Sequence, residues 1–284
     1  MADEPKYTFT RPENLLAHYT TAEVAFEYVL PQRRVRMSPY RLMRDPAENK
    51  DIVPGTGFFG EQPDAEQGWA AAVAGIKRIR DDCRVLSLTR DAADHGVYGS
   101  CWARPRMWEQ YGGVHRGACL VFGRDLLNGT LHAELNRLGP HYLDEVDYTA
   151  AGIAESATRN IIDDRIFDPQ QRSMAVAEYI ENNHRDFFFL KSSDFESEHE
   201  YRAVLMREAE NEYAYVDFRD ALVAVIVGER FPDWQVPGAA EVCEQAGVKL
   251  HRMHWEHGRP FALDALNVKR LHDRQRREAR ESGG

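Results

Sequence analysis

The chain has 284 residues, 43% apolar and 29% charged, which is enough to fill a core and clothe it with a polar surface. Its formal net charge of −10 argues against indiscriminate nucleic-acid binding, which relies on cations that displace counterions from phosphates. No run approaches the roughly 20 apolar residues of a membrane helix. The start, MADEPKYTFTRPENLL, also lacks the basic-then-apolar order of a secretory signal, so no membrane is expected and the cytoplasm is the default location.

In chain order, NLLAHYT (14–20) reads as a strand ending in polar groups. TAEVAFEYVL (21–30) has apolar residues at helical spacing, with Thr21 as its cap and Pro31 as its stop. RVRMSPYRL (34–42) alternates as a second strand, RDPAEN makes a turn, and residues 50–65, rich in Gly, Pro and Asp, form a loop. GWAAAVAGIKRIRDD (68–82) is a helix, CRVLSLT (83–89) a strand, and RDAADHGVYG a loop. RPRMWEQYGG is a short helix closed by glycines, and RGACLVF (116–122) a buried strand. From about 125 to 186 the helical period dominates. Strands return at 198–206, 213–218 and 222–228, followed by a helix near 236–246 and the strand VKLHRMHW. No repeat or low-complexity linker marks a seam. The expectation is therefore one α+β domain over 1–284, with a helical insertion at about 125–186 and a charged tail at about 269–284.

Generic catalytic strings are absent: there is no G-x-S-x-G, Walker loop, H-E-x-x-H or G-x-G-x-x-G. Cys83, Cys101, Cys119 and Cys243 form no C-x-x-C pair and read as reduced, buried thiols. HRMHWEH (251–257) suits a surface strand as well as it suits a metal, and no metal is expected. Two basic runs stand out, QRRVR (32–36) and KRLHDRQRREARE (269–281); the second reads as a solvated helix.

The polar segments carry more. HYTT puts His18 and Tyr19 at a strand end, LSLT puts Ser87 and Thr89 on one strand face, and MWEQYGGVHRG gathers Trp108, Tyr111, His115 and Arg116 around a Gly-Gly. SEHEYRAVL (197–205), preceded by Lys191 and Ser192, places Glu198, Glu200 and Arg202 on one face if it is a strand. That face is either the wet side of an ordinary strand or two carboxylates aimed at a substrate.

The order LAHYTT, RMSPYRLMRDPAE, LSLTRD, MWEQYGGVHRGACLVF, KSSDFESEHEYRAV and VAVIVGE resembles the bacterial DUF2971 family over roughly residues 14–230. Arg44 stands where the family turn often has Asn, and Phe195 where its late motif often has Trp. More distantly, the order of a His-bearing strand, a Ser/Thr strand, a Tyr-bearing helix and a late E-x-E strand is similar to the ADP-ribosyltransferase superfamily. That resemblance implies a split β-sheet core and NAD as substrate. Carried over by position, His18 would contact the adenosine ribose, and Ser87 with Thr89 would brace the pocket. Tyr111, or alternatively Tyr19, would stack on nicotinamide. Arg116 and Arg36 would neutralise the pyrophosphate, Glu200 would be the catalytic carboxylate, and Glu198 would position the acceptor.

The chemistry suits these residue types. Cleaving the nicotinamide–ribose bond develops oxocarbenium character, which a fixed carboxylate stabilises, and an aromatic face holds the reacting conformation. The implied activity is ADP-ribosyl transfer to a protein or nucleic-acid acceptor, or NAD hydrolysis, in a toxin or anti-phage effector. A non-catalytic nucleotide-sensing module and a metal-dependent nuclease remain as alternatives.

Overall fold

The computed structural model describes residues 14–43, 55–56, 65–149, 161–206 and 213–282. The expected RDPAEN turn, nearly all of the 50–65 loop and most of the helical pattern at 151–164 lie outside the described residues. Mostly antiparallel strand pairings combined with helices make the fold α+β.

The chain gathers into two compact units, one comprising 1–35, 88–133 and 216–284 and the other 36–87 and 134–215. The chain passes from one to the other inside strands Arg34–Pro39 and Arg84–Arg90, inside helix Arg124–Leu135, and inside strand Ala214–Asp217. Such crossings leave no Gly/Ser/Pro-rich linker in the sequence.

In the first unit, strand Leu15–Thr20 pairs antiparallel with Ala118–Gly123, His18 opposite Leu120, and with the end of Arg84–Arg90, Ala17 opposite Thr89. Ala118–Gly123 pairs in turn with Leu222–Val227. That strand lies parallel to Leu250–Glu256, a geometry that needs a crossover, and helix Val236–Gln245 supplies it. A hairpin then adds Arg259–Asp264, which the sequence reading did not foresee. Ala17, Tyr19, Trp102, Trp108, Val121 and Met253 are among the residues of its core. Thr21 accepts a hydrogen bond from the Val24 amide, as a cap should. Pro31 does not stop the helix, however. A π-turn over Val24–Val29 precedes it, and the helix runs through Gln32 to a left-handed Arg33. The wider π-turn is where a ring lacking an N–H, and clashing with the carbonyl four residues back, can be carried.

In the second unit, Ser38 lies opposite Val85. Strand Glu200–Leu205 pairs antiparallel with His141–Glu145, and with Arg84–Arg90 as well. The 125–186 stretch is therefore not purely helical: His141–Glu145 and Asp147–Thr149 are strands between helices Arg124–Leu135 and Arg172–Asn182. HYLDEVDYT has short-range alternation that the broader helical period outweighed, and pairing with Glu200–Leu205 decides in favour of strand. Helix Ala65–Asp82 packs its Ala72–Ile76 face against Val176, Ile180 and the Phe187–Phe188–Phe189 run. The tail is helical over Ala265–Ser282. No helix among the described residues is long and apolar enough to cross a membrane.

Candidate functional site

The second unit holds the densest buried charge. Strand Glu200–Leu205 begins one residue later than the alternating pattern requires. Glu198 closes the 3-10 turn Ser193–Glu198, and His199 takes a left-handed φ of 44° that turns the chain into the strand. Glu198 and Glu200 thus share no strand face, yet the turn brings both carboxylates to one ammonium group. Lys191 Nζ donates to Glu198 Oε2 at 2.8 Å and to Glu200 Oε2 at 3.2 Å. Arg202, one strand repeat beyond Glu200, forks onto it: Nε reaches Oε1 at 2.7 Å and an Nη reaches Oε2 at 2.9 Å. Its other Nη donates to the Phe188 carbonyl at 2.7 Å.

All four charged side chains are at most 5% exposed, and every residue of the strand is buried. The wet-face reading of SEHEYRAVL is excluded by that burial. Phe195 lies 4.5 Å from Lys191 Nζ, the ring face towards the cation, so the ammonium group is closed off on that side by a π system. The Glu200 amide donates to the Tyr148 hydroxyl at 2.7 Å. Burial pushes the Tyr148 hydroxyl well up, so it stays protonated and retains a proton to donate.

Glu200 is the electrostatic centre. Burial alone would raise its carboxyl, but Arg202 and Lys191, with hydrogen bonds from Arg202 and Ser87, hold it down at about 2. It is an ionised carboxylate throughout the physiological range. Such a group can stabilise positive charge and accept hydrogen bonds, but it cannot serve as a proton donor near neutral pH.

The other expected residues fall as follows. Ser87 belongs to the second unit and hydrogen-bonds to Glu200. Arg36 belongs there too, exposed and set 4.4 Å over the Tyr213 ring. His18, Tyr19, Thr89, Tyr111 and Arg116 belong to the first unit. His18 is half-buried in its strand, and Thr89 is buried opposite Ala17. Tyr19 is committed to the core. Its hydroxyl donates to the Cys101 carbonyl at 2.6 Å, and its ring meets Trp108 edge-on at 5.2 Å. Tyr111 caps helix Pro105–Gln110, half-buried against the same core, while Arg116 is exposed.

Between those last two residues the backbone is strained. Gly113, Val114 and His115 all have positive φ, an unfavourable state for a β-branched valine. The chain is forced through this shape by close approach. A Cβ on Gly117 would overlap the Thr20 carbonyl, and one on Gly228 would overlap that of His115.

Sequence reasoning noted Lys191 without a role and missed Tyr148. The K-x6-E-x-E-x-R spacing was the available signal for the lysine, and the alternation of HYLDEVDYT was the signal for the tyrosine. Among the described residues, no group of three His, Cys, Asp or Glu side chains is placed to hold a metal, and this includes the histidines of 251–257.

Residues 107–203, from Met107 in the Trp108 helix to Ala203 in the Glu200 strand, match the family model described as protein of unknown function DUF2971. The match spans both the strained glycine loop and the buried charges. No curated protein and no solved structure matches the chain significantly.

Proposed function

With residues 107–203 identified as a DUF2971 segment, we propose that this protein consumes NAD, cleaving the nicotinamide–ribose bond and passing ADP-ribose to a macromolecular acceptor or to water. The observation that carries this reading is Glu200, a buried carboxylate held ionised at about 2. As the C1′–N bond breaks, its electron pair leaves with nicotinamide and positive charge grows on the ribose. An anion already oriented by Arg202, Lys191 and Ser87 stabilises that charge without reorganising. The nucleophile, an acceptor heteroatom or water, then bonds to C1′ and gives up its proton. Glu200 is too weak a base to take that proton, so it passes to solvent or to another group. Glu198, joined to the same lysine, is the nearest carboxylate.

One feature favours a second reading, a nucleotide-binding module in which the charges serve structure alone. Arg202 occupies both Glu200 oxygens, and Lys191 and Ser87 add further donors. Incubation with NAD separates the two. Transfer or hydrolysis requires nicotinamide release that falls on the order of 100-fold or more in Glu200→Gln, with circular dichroism verifying that the variant is folded. NAD binding by calorimetry without release, even with cell lysate as acceptor, supports the module. Release that is unchanged in Glu200→Gln removes Glu200 from the chemistry.

A further inference from the structure

The terminal helix Ala265–Ser282 is an electrostatic exception in this chain. It carries six cations, Lys269, Arg270, Arg274, Arg276, Arg277 and Arg280, against three anions, Asp273, Glu278 and Glu281, in a protein of formal net charge −10. Its burial is one-sided and short. Ala265 is buried and Lys269, His272 and Asp273 are half-buried, whereas every residue from 274 to 281 is exposed. At 100° per residue, Arg270, Arg274 and Arg277 fall within about 60° of one another on the face opposite Ala265. Arg276 is turned inward instead, to Asp233 at 2.7 Å and Asp273 at 2.9 Å.

A second, independent observation comes from the turn that Arg276 grips. Asp233 also accepts from Arg252 Nη at 2.5 Å and lies 3.3 Å from His272 Nδ1, so the turn Asp233–Gln235 is pinned to the helix. The next residue, Trp234, is 77% exposed, the most exposed of the large hydrophobic side chains among the described residues. An indole presented to solvent beside an arginine-rich helix is an aromatic platform next to a cationic track. Those are the two components that grip unpaired bases and the phosphates joining them. A duplex hides its base faces, and an acidic peptide has no flat ring to stack, so the pair of features selects one class of partner.

We propose that Trp234 and the outward stripe Arg270–Arg274–Arg277 form a docking surface for single-stranded nucleic acid, Trp234 stacking on a base and the arginines meeting phosphates. The assignment stands apart from NAD chemistry and concerns binding alone.

The test is fluorescence anisotropy of a labelled oligothymidylate of about 16 nucleotides with the full chain, from about 50 to 200 mM salt. Binding should weaken steeply with salt. R270A/R274A/R277A should reduce the log–log salt slope by about 2, at roughly 0.7 for each lost phosphate contact. Trp234→Ala should weaken binding about 5- to 100-fold while leaving the slope unchanged. Each of four results would overturn the assignment: no binding at the lowest salt, binding unaffected by the triple substitution, duplex bound as tightly as the single strand, or polyglutamate competing on equal terms.

Discussion

The two units each contain a carboxylate gripped by arginine, and the two clusters differ in their access to water. In the second unit, Arg202 is 0% exposed and Glu200 5%. In the first, Asp233 is 16% exposed and its partner Arg276 54%. Both carboxylates are held down at about 2. In each case burial pulls the other way and is overcome, by Arg202 and Lys191 for Glu200 and by Arg252, Arg276 and His272 for Asp233. A common pKa therefore conceals different energetics. The buried pair has surrendered hydration that only its partners replace, so losing one partner strands a charge. The exposed pair exchanges a protein contact for water at little cost. Only the buried cluster is costly enough to maintain that its presence calls for a functional or architectural reason.

The sharpest way to break this comparison is to remove one buried partner. Arg202→Met should destabilise the protein by about 3–5 kcal/mol, because Glu200 would keep its burial and lose its bidentate donor. Urea unfolding measures the loss. A double variant, Glu200→Leu with Arg202→Met, should recover most of it, since the Lys191–Glu198 pair at 2.8 Å remains. A single-variant loss below about 1 kcal/mol would mean that water reaches the cluster.

That cluster was only half legible in the sequence. The spacing of Glu198, Glu200 and Arg202 marked them as a group, and Arg202 is the structural partner that spacing allows. Two facts could not be read locally. The left-handed His199 breaks the strand between the glutamates, and Lys191 returns to them from a different strand. Elements with strong local periodicity, such as Ala65–Asp82, Val236–Gln245 and Leu15–Thr20, were evident because propensity and tertiary context agree there. His141–Glu145 was hidden because its strand character comes from its partner, Glu200–Leu205. Tyr19 shows the same limit for function. A tyrosine at a strand end looks available until the Cys101 carbonyl and Trp108 are placed around it.

Acid sharpens the comparison by a smaller amount. Glu200 has a folded-state pKa depressed from 4.5 to about 2, so its stabilising contribution is complete above about pH 4.5 and disappears as pH falls through about 2. Unfolding followed between pH 5 and pH 2 should show stability declining across that window. Glu200→Gln, less stable at neutral pH, should show a shallower decline, because one of the protons taken up on unfolding is gone. Parallel curves for the two proteins would mean that Glu200 is not ionised in the native state.

The smallest effect belongs to the exposed cluster. Arg276→Ala removes a contact at 2.7 Å from Asp233, yet the arginine is 54% exposed, and Asp233 keeps Arg252 at 2.5 Å. The expected loss is about 0–1 kcal/mol, a shift in Tm below about 3 °C. Most of that difference should vanish in about 1 M salt, where screening acts within a few ångströms. Arg202→Met should keep its deficit in the same salt, because no counterion replaces a donor inside a strand whose every residue is buried. If the two substitutions responded to salt alike, burial would not be what separates the clusters. The argument that the Glu200 group is maintained at a cost would then fail with it.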